Sequence, residues 1–267
     1  MMKSRHAGLI TALALAAGVA RSASAASPDS PWGVAIYGGD SLSETGELRK
    51  PSTATFTDFG TVDPSLSGAS GRFDSERLSY DDIFHRRFDT GLELNYSFSD
   101  SMQTYGRFGY ESLNGQTRTL GTLETDVLGT STPIHARFGD DDNKSLEFGS
   151  RYFWHNSTAW EPFAGVALGA TRMESIRATL DSPDAGITAR EVRFTRPATL
   201  FSQSLETGVE FNPSRAFGVR FSIDASHTGT PPSARDPALS AIGFDAAHDA
   251  DARWTFPVAI AATWHLG

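Results

Sequence analysis

Apolar and polar positions alternate in long runs through most of the chain. Phe88, Thr90, Leu92, Leu94, Tyr96 and Phe98 share one parity, while Asp89, Gly91, Glu93, Asn95 and Ser97 take the other. A period of two marks a strand with two unlike faces. After Ser99-Asp100-Ser101 the pattern restarts at Met102, Thr104, Gly106, Phe108 and Tyr110, which predicts a tight hairpin. Two further hairpins follow. Residues 146–154 pair with 160–170 across 155–159, and residues 201–211 pair with 217–225 across Asn212-Pro213-Ser214-Arg215. A strand over 32–40 opens the series and one over 254–266 closes it. The pattern therefore predicts eight strands.

The connections sort by length. Three are tight, around Asp100, Ser157 and Pro213; four are long, over roughly 41–86, 112–145, 173–200 and 228–253. Short turns on one rim and long loops on the other are how a membrane barrel is built. The parities agree. The apolar parity of the last seven strands carries no charge, whereas the other carries Asp89, Glu93, Arg107, Glu147, Arg151, Glu161, Glu206, Glu210, Arg220 and Asp224. Trp32, Trp154, Trp160 and Trp264 fall at the short-turn rim with Phe98, Phe211 and Phe217, and Trp254 falls at the other. Aromatic girdles at two membrane interfaces predict this placement. A soluble lipocalin-like barrel also alternates, but its core would put the bulkiest residues mid-strand. Gly91, Gly109, Gly149, Gly165, Gly169, Gly208 and Gly218 interleave with the charges, leaving room for long ion-paired side chains in a narrow lumen. The expected fold is all-β: an eight-stranded antiparallel up-and-down transmembrane β-barrel with three short periplasmic turns and four long extracellular loops.

The first residues follow a different rule. Lys3 and Arg5 precede an apolar stretch from Leu9 to Ala20, and Ala23-Ser24-Ala25 supplies a small-x-small site. This predicts a signal peptide over 1–25, with 26–267 as one barrel domain and no second, peptidoglycan-binding domain. The apolar stretch is too short to cross a bilayer as a helix. In a Gram-negative host the expected location is the outer membrane.

Composition alone points elsewhere. The 267 residues have a formal net charge of −9 and 39% hydrophobic content, with a mean hydropathy of −0.29. These averages suit a soluble acidic protein, but they are blind to strands that hide their apolar face in every second position. The acidic balance argues against nucleic acid as a partner. The absence of cysteine excludes disulfides, thiolate zinc sites, a cysteine nucleophile and a lipidated cysteine.

With its leader, eight alternating strands, three tight turns and four long loops, the chain resembles the small outer-membrane barrels of the OmpA, OmpX and OmpW type. The resemblance covers nearly the whole chain after the leader and is most family-like over 91–110, 160–169 and the closing strand. It implies an integral outer-membrane protein, monomeric, with both termini in the periplasm. Two features depart from the pattern: the chain ends Trp264-His265-Leu266-Gly267, not on an aromatic residue, and Pro257 lies inside the last strand, where it removes a ladder hydrogen bond and predicts a bulge.

Candidate chemistry is sparse. The lumenal charges must pair or hydrate, giving either a structural plug or a narrow, weakly cation-preferring pore. A lipid A hydrolase is the enzymatic alternative. His227 has the outward parity for it, but Gly229 stands where a serine nucleophile would be needed. No enzyme activity and no cofactor are expected. Asp245, His248, Asp249 and Asp251, and the run Asp140-Asp141-Asp142-Asn143, hold oxygen donors without the regular spacing of a cation loop, so no metal site is assigned. Arg172, Arg177, Arg190, Arg193 and Arg196 bracket the third long loop. Of these, Arg172, Arg177, Arg193 and Arg196 are candidate contacts to lipopolysaccharide phosphates. Asn156-Ser157-Thr158 matches a glycosylation triplet in a periplasmic turn. The long loops suggest a non-enzymatic surface, adhesion or envelope role, with outer-membrane lipid and lipopolysaccharide as partners.

Overall fold

The computed structural model describes residues 30–60, 62–127, 129, 131–155, 158–182, 184, 187–235, 240 and 250–266. The expected leader lies outside the described residues. Eight antiparallel strands close into a barrel: β1 (Trp32–Thr45), β6 (Phe84–Ser99), β7 (Met102–Gly115), β10 (Asp141–Phe153), β11 (Trp160–Met173), β14 (Ala198–Ser214), β15 (Phe217–Thr228) and β16 (Arg253–His265). Each pairs with its neighbour in sequence, and β1 pairs with β16 to seal the wall. Every strand exceeds the roughly 9–11 residues that a tilted strand needs to cross a bilayer.

The register puts the alternating parities on opposite sides of this wall. Leu92, Phe108, Phe148, Leu168, Leu205 and Ile223 are all at least half exposed, whereas Glu93, Arg107, Glu147, Arg151, Glu206 and Arg220 are buried. Among the described residues, the exposed large hydrophobic side chains all sit on barrel strands or immediately past their ends, Val127 excepted. In water, that much contiguous apolar surface would be far beyond what a monomer tolerates. The inside-out arrangement suits a hydrocarbon solvent.

Three of the four long connections carry strands of their own, which the alternation did not single out. Strands β3 (Ser52–Phe56), β4 (Gly71–Ser75), β8 (Thr117–Thr125), β9 (Ser131–Phe138), β12 (Arg177–Ser182) and β13 (Ile187–Arg193) form a six-stranded sheet in the order β13-β12-β9-β8-β4-β3. A second ladder pairs β2 (Glu47–Arg49) with β5 (Leu78–Ser79), next to the one-turn helix Tyr80–Ile83. Ser79 caps this helix reciprocally with Asp82. This cap has an apolar core of its own, with Phe73, Leu120, Leu123, Ala136, Phe138, Ala178, Val192 and Phe194 nearly or fully buried. That core continues onto Ile83, Phe84 and Leu113 at the barrel mouth.

Two details of the wall bear on the interior. Opposite Pro257, the β15–β16 ladder skips from Ile223↔Val258 to Ser226↔Thr255, and the β1–β16 register shifts between Ser41 and Glu44. The proline cannot donate a ladder hydrogen bond, and the bulge on β1 reverses the parity beyond it. Glu44 thereby turns inward and is buried. Trp264 departs from its expected place in an exposed belt. It is only 3% exposed, with its ring 5.8 Å from that of Phe217.

Candidate functional site

The lumen is filled by one network of charged side chains spanning the barrel. Arg151 of β10 lies at its centre. Its Nη1 and Nη2 donate to the two carboxylate oxygens of Glu93, each at 2.6 Å, and its Nε donates to Glu206 at 2.9 Å. Arg107 of β7 donates to Glu93 and Glu206, each at 3.1 Å, and to Asp224 at 3.4 Å. Its Nη1 also lies 3.9 Å from Glu147. Arg220 of β15 donates to Glu93 at 2.8 Å and approaches Glu210 at 3.8 Å. Three guanidinium groups thus share Glu93 and Glu206. Removing any one leaves buried carboxylate charge behind.

Aromatic rings that the sequence pattern did not single out complete this layer. The Arg151 guanidinium carbon stands 3.8 Å from the Tyr105 ring centre, and that of Arg107 stands 5.2 Å from the ring of Tyr37. These stackings add to the ion pairs in a site sheltered from water. The lumenal glycines make room for them. A Cβ on Gly91 or Gly109 would come within 2.7 Å of the Tyr37 hydroxyl, and one on Gly165 would stand 2.9 Å from Cγ of Arg151. Small residues were expected to accommodate long charged side chains; here they admit tyrosine rings as well.

A second cluster lies towards the cap, in segments the pattern assigned to loops or their edges. Arg253 donates to Glu111 at 2.8 Å and lies 3.2 Å from Glu44. Arg87 pairs with Glu111 and lies 3.7 Å from Glu44. Asn143 donates to Glu111 at 2.7 Å. Between the two layers is a cavity of about 60 Å³ lined by residues that include Arg87, Asp89, Arg107, Glu111, Glu147 and Asp224. At roughly 10–15 Å³ per water site it has room for a few waters.

Glu161 does not join the central network. It lies at the short-turn rim, bonded to Nδ1 of His155 at 2.7 Å and to Nδ2 of Asn212 at 3.0 Å. The other ring nitrogen of His155 meets the Asp100 carbonyl. All three short turns are thereby tied together. Partial burial pulls the His155 pKa down, but the Asp100 carbonyl and Glu161 carboxylate more than offset this and hold it above the usual range.

The remaining candidates are placed as follows. Trp32, Phe98, Trp154, Trp160 and Trp254 are exposed, while Phe211 and Phe217 are half-buried. Trp160 packs on Phe211 with ring centres 4.6 Å apart. Arg172, Arg177, Arg193 and Arg196 are all exposed. The side chain of Arg190, and Asp245, His248, Asp249, Asn156 and Ser157, lie outside the described residues. Asp141 and Asn143 are buried while Asp142 is exposed, so that run does not converge. Among the described residues no group of three or more histidine, aspartate or glutamate side chains is placed to hold a metal. His227 lies on the outer face, its ring 4.8 Å from that of Trp254.

No known family profile matches the chain, and no curated protein matches it. The solved structures it resembles include small outer-membrane barrels. Neisserial surface protein A aligns at 11% identity and TM-score 0.41, covering 88% of this chain and 97% of that one. Outer membrane protein OprG of Pseudomonas aeruginosa aligns at 11% and TM-score 0.40 over 88% and 97%. The attachment invasion locus protein Ail of Yersinia pestis, in complex with a heparin analogue, aligns at 12% and 0.36 over 87% and 99%. At these values the likeness concerns architecture only, and the fold assignment stands on the closed barrel itself.

Proposed function

We propose that the chain is an integral outer-membrane protein whose barrel plugs its own lumen and displays a rigid six-stranded sheet outside the membrane, in a non-enzymatic surface or envelope role. The observation that carries this reading is the inversion of the barrel: an uncharged apolar exterior around an interior packed with arginine–carboxylate pairs. A sheet with its own core presents a fixed surface, which lowers the ordering cost of binding a partner. Membrane fractionation and heat-modifiable gel migration test the barrel. The expected result is outer-membrane recovery with a mobility shift on boiling; release as a soluble protein would sink the reading.

The cavity between the two charge layers favours a second reading, a narrow pore with a weak preference for cations. Its carboxylates Asp89, Glu111, Glu147 and Asp224 face the arginines Arg87, Arg107 and Arg253. Planar-bilayer recording separates the two: a silent bilayer supports the plug, and steady cation-selective steps support the pore.

A further inference from the structure

The outer face above the apolar belt carries an arrangement that the lumenal network does not explain. Lys144 of β10 and Arg172 of β11 are direct cross-strand partners, and both are exposed. Arg177 of β12 and Arg193 of β13 form a second such rung, also exposed. Like charges directly opposite each other destabilise a sheet. Lys144 and Arg172 have no ion-pair partner among the described residues, and Arg177 has only the exposed Glu191 at 3.4 Å.

The order of side chains along β10 and β11 says what would neutralise the first rung. One step towards the short turns, the same outward face carries exposed Leu146 opposite Ala170. One step towards the cap it carries exposed Asp142 and Glu174. Apolar, cationic and acidic levels therefore succeed each other over a few residues. A lipid with its acyl chains against Leu146 would bring its phosphate to Lys144 and Arg172, and the acids above would repel that phosphate from rising further. Two adjacent cations on neighbouring strands suit a phosphate through charge-assisted hydrogen bonds.

We infer that Lys144 and Arg172 form a docking site for the phosphate groups of lipid A in the leaflet on the cap side. The inference rests on the outer-membrane reading and adds a specific lipid to it. The test uses the full barrel in phosphatidylcholine nanodiscs with and without diphosphoryl lipid A, with retained lipid read by native mass spectrometry. The expected result is lipid A binding by the wild type and an affinity on the order of tenfold weaker in the Lys144→Gln/Arg172→Gln variant. Asp142→Asn/Glu174→Gln should bind at least as well as the wild type. Equal lipid A affinity in the wild type and the cation variant, with both heat-modifiable, would overturn the docking surface alone. Equal retention of dephosphorylated lipid A would do the same. Failure of the wild type to insert in any nanodisc would instead overturn the membrane reading, and this inference with it.

Discussion

Arg151 is where the interior is most sensitive to a single change. Arg151→Met keeps the volume but leaves Glu93 and Glu206 without their closest cation. The expected loss is about 3–5 kcal/mol of unfolding free energy, read as a lower urea midpoint by tryptophan fluorescence in lipid vesicles. Arg151→Lys should recover only part of it, since an ammonium cannot reproduce the bidentate contact with Glu93. At the rim, His155 gives a pH dependence. Its pKa is raised in the folded chain, so its contribution is fully present below the unfolded value and is lost as pH rises through the folded one. The melting temperature of wild type minus His155→Gln should therefore shrink across that window; a constant difference would count against the clasp. Parity placed Arg151, Glu93 and Glu206 in the lumen from the sequence. The stacking of Tyr37 and Tyr105 was not legible, because the opposing glycines depend on register across three strands.

Among the elements, the cap was the part that the sequence concealed. Thr132, Ile134, Ala136 and Phe138 alternate along β9, but over only eight residues and within a stretch rich in turn-forming residues. Such short runs become strands when neighbours cover one face. β8 and β12 pair the two edges of β9, and its buried side joins the core that continues onto the barrel mouth. Phe138→Ala should cost the cap about 3–5 kcal/mol. Limited proteolysis should then cut within 116–140 and 174–197, while the barrel keeps its heat-modifiable mobility. Loss of both together would mean that the cap and barrel fold as one unit. Pro257 illustrates the reverse case. A break in the ladder at Pro257 was legible from the proline, but the extra residue falls on the neighbouring β1, and its consequence, the turning of Glu44 towards Arg253, depends on which strand takes it.

For the whole molecule, the lack of cysteine makes the orientation testable by single introduced thiols. Ser131 on the cap and Ser214 at a short turn are both exposed. Ser131→Cys should react with a membrane-impermeant maleimide on intact cells, and Ser214→Cys only after lysis. The opposite pattern would invert the barrel. The sequence by itself determined the number of barrel strands, their pairing order and which face of each is apolar, because a period of two is local and survives without knowledge of neighbours. Only the tertiary structure decided that the long connections form a sheet, that Glu161 belongs to a rim clasp and not to the central network, that Trp264 is buried, and that Glu44, Arg87, Glu111 and Arg253 meet. Each of these depends on contacts between residues far apart in the chain, which are set by register and closure of the barrel.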